Sequence, residues 1–104
     1  MISTQIVDTA AGRPAARIPV ELDLFITGQG WREVGRGLSN TEGWIDSFGI
    51  PAAAGVYRMM FDVASYLPNA FFPSIAVTFE VTDADQRFHI PLLLSPFGYS
   101  VYLG

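Results

Sequence analysis

Residues 87–104 read RFHIPLLLSPFGYSVYLG. In the first half, His89, Pro91, Leu93 and Ser95 fall on one side of an extended chain and Ile90, Leu92 and Leu94 on the other, because successive side chains of a strand point to opposite faces. Pro96, Phe97 and Gly98 then predict a turn. YSVYL returns as a last strand with Ser100 and Tyr102 sharing a face. The single histidine of the chain thus stands at the head of an apolar strand.

The same signals recur upstream. A first strand is expected from roughly Ser3 to Asp8, and DTAAGRPA is a turn in which Gly12 and Pro14 supply the special backbone angles. RIPVELDLFIT sets Val20, Leu22 and Leu24 against Glu21 and Asp23, the pattern of a sheet with one buried face. GVYRMMFDV sets Tyr57, Met59 and Phe61 against Arg58, Met60 and Asp62. VASYLPNAFFP is expected to carry one short helical turn, stopped by Pro68 and Pro73. SIAVTFEVTD and RFHIPLLLS are expected to pair as a hairpin through ADQ. Seven or eight short strands with one short helix predict an all-β, two-sheet β-sandwich. At 104 residues the chain has room for a single domain, residues 1–104, with a real core.

Composition narrows the function classes. Half of the residues are hydrophobic and only 15% are charged, so some apolar surface is left for a partner. No apolar run approaches the ~20 residues of a membrane-spanning helix, and Met1 is not followed by a basic segment and an apolar signal core, so no membrane partner and a cytoplasmic location are expected. The net charge is −4, and the six cationic side chains are all arginines scattered singly, which argues against nucleic acid. With one histidine, no cysteine and no acids clustered at ligand spacing, neither a metal nor another cofactor is expected. Asp83 and Asp85 in TDADQ read as turn residues.

Taken together, IVDTAAGRPAARIPVEL, SNTEGWI, GVYRMMFDVASY and FFPSIAVTFEVTDADQRFHIPLLLSPFGYSVY resemble the transthyretin-like family, whose catalytic branch is 5-hydroxyisourate hydrolase. The resemblance runs from about Thr4 to Gly104, and HIPLLLSPFGYS is its most specific part. It implies a β-sandwich assembled as a homotetramer, a dimer of dimers, around a central channel. In the hydrolases, sites opening into that channel bind a purine-derived bicyclic substrate and add water to its ring amide.

Hydrolase members carry four polar markers. A histidine ahead of the Asp-Thr of the first strand is replaced here by Gln5, before Ile6, Val7, Asp8 and Thr9. An arginine after the Asn-x-x-Gly turn is replaced by Trp44. The late-strand histidine is kept as His89. Of the closing Tyr-Arg-Gly-Ser, Tyr102 and Gly104 stand, with Leu103 in place of the arginine. By this resemblance the site keeps its scaffold and loses positive charge.

Opening a ring amide needs a general base for water, a donor for the oxyanion, and contacts that hold the ring. His89 is the candidate acid/base, since it alone titrates in the physiological range. Gln5, Trp44, Ser100 and Tyr102 are the candidate substrate-binding residues by resemblance. Gln5 exchanges hydrogen bonds but carries no proton away from water. Trp44 offers an aromatic face where an arginine would offer a cationic fork. Each has an ordinary reading as well: His89 as a satisfied strand residue, Trp44 as a packing or interface residue, Gln5 as a solvated side chain, Tyr102 as packing near the chain end.

Three functions stand side by side. The first is a hydrolase-like enzyme for a small, flat heterocyclic ligand, with His89 in ring opening or closing. The second is a non-catalytic small-molecule carrier on the same scaffold. The third is a weakened 5-hydroxyisourate hydrolase of urate degradation. The retained His89 ranks the first ahead.

Overall fold

The computed structural model describes residues 1–51 and 53–104. Its strands are β1 (Ile2–Asp8), β2 (Arg13–Pro14), β3 (Pro19–Ile26), β4 (Gly30–Leu38), β5 (Trp44–Ile45), β6 (Gly55–Asp62), β7 (Ser74–Val81), β8 (Phe88–Ser95) and β9 (Gly98–Val101). One sheet runs β2-β1-β8-β9, with β5 also pairing with β1, and the other runs β4-β3-β6-β7. The two face each other through the alternate residues that the sequence marks as apolar. Ile6, Ile90, Leu92 and Leu94 from the first sheet meet Leu22, Tyr57, Met59, Phe61 and Ile75 from the second, all buried.

Two expectations are corrected. The short helix is absent among the described residues: the N–H groups of Tyr66 and Leu67 both donate to the Val63 carbonyl, and the next residue, Pro68, has no N–H with which to continue. A single turn is all that forms. β7 and β8 are not a hairpin either. β7 pairs with β6, whereas β8 crosses to the other sheet and runs parallel to β1, with Ser3 opposite His89 and Gln5 opposite Pro91. Alternation is the same whichever neighbour a strand takes, so it could not reveal this crossing.

Asp23 keeps the face that alternation gives it, beside Glu21 and opposite Arg58 of β6, yet is only 2% exposed. The register against β4 slips between Leu22 and Asp23 because Val34 is an extra residue on β4, while the β3–β6 register runs on unbroken, so Asp23 is buried by what covers the outer face and not by a turned side chain. Arg58 donates to Asp23 Oδ2 from Nε at 3.1 Å and from Nη2 at 2.9 Å, and its guanidinium lies 4.4 Å from the centre of the Trp31 ring. The pair is thereby both bonded and covered.

Asp23 Oδ1 has no donor among the described residues unless Glu21 supplies a proton. The Glu21 carboxyl is pushed up to about 7 from an ordinary 4.5, first by its hydrogen bond to Asp23, then by burial and by the charges of Asp23 and Glu33. A carboxyl raised on folding favours the native state below its unfolded value and loses that contribution as pH rises to its folded value. The fold is therefore expected to weaken from pH 4.5 to 7. Glu21→Gln should match the parent near pH 5 and exceed it at pH 8 by about 1 kcal/mol, the figure being cut by solvent screening at a side chain one-third exposed. Urea midpoints at the two pH values read this; an equal shift at both would refute the shared proton.

Candidate functional site

The site is built from the outer face of the β1–β8 sheet. Parallel pairing sets Ser3 beside His89, and the Ser3 hydroxyl meets His89 Nδ1 at 2.9 Å. The register is held from the other face by Thr4, whose hydroxyl donates to the Ile90 carbonyl at 2.6 Å. On the far edge of β1, Gln5 pairs with Trp44.

Trp44 arrives there by a turn with a clear local cause. The Asn40 side-chain oxygen accepts from the N–H groups of Glu42 and Trp44, both at 2.9 Å. Asn40 and Trp44 also share a backbone bond, Asn40 N–H to the Trp44 carbonyl. Gly43 takes φ +79°, and its carbonyl accepts from the Ile6 N–H at 2.8 Å. A left-handed residue is required at this point, which is the role glycine fills without steric cost. The turn swings the indole across β1 onto the imidazole: the Trp44 and His89 rings stack at 4.4 Å with an angle of 16° between their planes.

His89 is half-buried under this cover, and burial pushes its imidazole below the usual histidine value. The ring is neutral at pH 7. With Nδ1 engaged by Ser3, Nε2 has no partner among the described residues. When the Ser3 oxygen accepts from Nδ1–H, Nε2 carries a free lone pair suited to a general base. The main chain is tied as well, since the Gly104 N–H donates to the His89 carbonyl at 2.8 Å and extends the β8–β9 register to the tail.

An open hollow of about 350 Å³ lies beside the ring, walled by Met1, Ser3, Trp44, Asp46, Arg87 and His89. Two of the five sequence candidates, His89 and Trp44, share it. Gln5 lies next to Trp44, but its amide donates to the Glu42 carbonyl at 3.4 Å. Ser100 sits opposite Leu93, about 13 Å along the sheet from His89 at the usual strand rise. Tyr102 borders a different hollow, about 270 Å³, together with Val77, Phe79, Ile90 and Leu103.

Ser3, Asp46 and Arg87 did not emerge from the sequence. Arg87 had a signal, since alternation puts it on the His89 side of the chain two residues earlier. Ser3 had none, because its partner is 86 residues away. Arg87 also changes the electrostatics: the hollow that has a tryptophan and not an arginine at position 44 has an arginine from position 87.

Comparisons with known proteins agree with this architecture. The uric acid degradation bifunctional protein TTL of Arabidopsis thaliana is 34% identical over 122 residues, covering 99% of this chain and 36% of the plant protein. The chain thus spans about a third of that longer relative. The 5-hydroxyisourate hydrolase of Mus musculus is 34% identical over 110 residues, with 99% and 93% of the two chains covered. Among solved structures, Klebsiella pneumoniae 5-hydroxyisourate hydrolase superposes with a TM-score of 0.85 at 27% identity over 99% of this chain and 97% of that one. The model of the HIUase/transthyretin family matches residues 2–104, and with the sandwich, the crossing of β8 and these relatives in agreement, the chain belongs to that family.

Proposed function

We propose that this chain is a divergent hydrolase of the 5-hydroxyisourate class, working as one transthyretin-like domain that opens a ring amide of a small, flat, purine-derived heterocycle. The observation that carries the reading is the clamped His89: Nδ1 on Ser3, one ring face on Trp44, Nε2 without a partner, and a hollow beside it. In the proposed reaction His89 takes a proton from water as that water attacks the ring carbonyl, then returns it to the leaving nitrogen. Trp44 has its indole committed to the imidazole, so its proposed role is to hold and shield the base, with its remaining edge toward the ligand. Gln5 and Tyr102 are proposed to contact ligand only where a neighbouring subunit closes the site, and Ser100 to line the same channel further along.

Such closure fits a homotetramer. β9 is an edge strand, and Phe71, Phe97, Tyr99, Tyr102 and Leu103 around it are exposed. Phe72 packs edge-on against Tyr99 at 5.4 Å, which makes the patch continuous. An unpaired edge flanked by apolar side chains favours burial against another copy. Among the described residues no helix is long and apolar enough to cross a membrane.

The reading is tested by ultraviolet absorbance of freshly generated 5-hydroxyisourate. The expected result is decay faster than in buffer alone and proportional to protein. Decay at the buffer rate would reject it, and would point to a carrier or another substrate if the combined Gln5→His, Trp44→Arg and Leu103→Arg variant does accelerate the reaction.

A further inference from the structure

We propose that Arg87 is the specificity-determining cation of the His89 hollow and selects the planar heterocycle in its anionic form, an inference that rests on the site proposed above and names the charge it reads. Arg87 immediately precedes β8 and walls the same hollow as Ser3, Trp44 and His89. Its guanidinium is not spent elsewhere. Among the described residues the ion pairs engage only Arg36 and Arg58. Arg87 Nη2 instead lies 3.6 Å from the Met1 sulfur, a weak acceptor that also borders the hollow.

The other charged groups around the hollow do not duplicate it. Asp46 carries the opposite sign. The Met1 ammonium donates to the Gln86 carbonyl at 3.2 Å. His89 is neutral at pH 7 because burial disfavours its charged form. Arg87 is therefore the cationic side chain facing a ligand beside the imidazole. A flat ring anion presents adjacent oxygen and nitrogen acceptors in one plane, which a guanidinium meets with two parallel N–H donors and an ammonium does not. Exposure of the arginine in the single chain keeps the gain at the modest end of charge-assisted contacts.

The test is equilibrium binding read by Trp44 fluorescence in a Trp31→Phe background, which leaves one of the two tryptophans. The probes are urate, a planar anion at pH 7.5, and caffeine, a neutral planar relative. The parent should prefer urate. Arg87→Gln should weaken urate binding by about five- to tenfold and leave caffeine unchanged, with Arg87→Lys recovering only part. Raising salt should weaken urate in the parent and much less in Arg87→Gln.

Unchanged urate affinity in Arg87→Gln, equal loss for both probes, or no urate binding by the parent would each overturn the proposal. The hydrolase reading fails separately: a protein that binds urate through Arg87 but does not turn over 5-hydroxyisourate keeps this inference and loses that one. His89→Ala should retain the urate preference, because the charge is read by Arg87 and not by the base.

Discussion

If the proposed hydrolysis is the reaction, His89→Ala is expected to lower kcat for 5-hydroxyisourate by about 10²–10⁴-fold, the usual contribution of a positioned general base. The cost to folding should be modest: the contact with the tail uses the His89 carbonyl, which alanine keeps, while the Ser3 hydrogen bond and the Trp44 stack are lost. The pH profile separates a base from a mere packing residue. Activity requires the neutral imidazole, so the rate falls as pH drops through the His89 value. Burial sets that value below the ordinary 6.5, and the acid limb should lie there, with full rate at pH 7. In His89→Ala the limb disappears and the residual rate is flat. A variant that keeps the parental rate, or keeps the acid limb, would remove His89 from the chemistry.

Gly43→Ala is the substitution expected to damage the fold most while touching no ligand. At φ +79° an added methyl collides with the Ile6 carbonyl oxygen and lies 3.2 Å from Pro14 Cβ and 3.4 Å from the Ala15 nitrogen. The obstruction is backbone, which has little room to yield. Ile6 also donates to the Gly43 carbonyl and accepts from the Ala15 N–H, so making room opens the edge of β1 where β2 and β5 attach. The unfavourable dihedral and the overpacking together should cost about 3 kcal/mol. Gly12→Ala is the internal control, since it has φ +70° but open space around the new methyl, and should cost about 1 kcal/mol. Urea midpoints compare the two; equal losses would mean that the Ile6 collision does not matter. Trp44 follows Gly43 directly, so the variant should also lose the indole–imidazole stack, seen as a change in tryptophan emission.

Both predictions depend on features of unequal legibility in the sequence. The burial of Tyr57, Met59 and Phe61, and of Ile90, Leu92 and Leu94, follows from period-two alternation and needs no knowledge of neighbours. The turn that carries Trp44 is also a local matter, because Asn40 and Gly43 contain its hydrogen bonds and its positive φ within five residues. Asp23 obeys the same local rule, but its burial is not a local matter. Its alternation is kept, and it is Arg58 on β6 and Trp31 on β4, meeting over the outer face, that cover the carboxylate and make its burial tolerable.

What the residues alone determined is thus the strands β1, β3, β6, β7 and β8, their buried faces, and the place of His89 at the head of one of them, since each depends on interactions spanning a few positions. What only the tertiary structure decided is which strands meet. The parallel pairing of β1 with β8 joins Ser3 to His89 across 86 positions, and the β5 contact brings Trp44 onto the same imidazole. Alternation is satisfied equally by any neighbour, so that choice is made by the packing of the whole sandwich, in which the crossing of β8 buries both sheets at once.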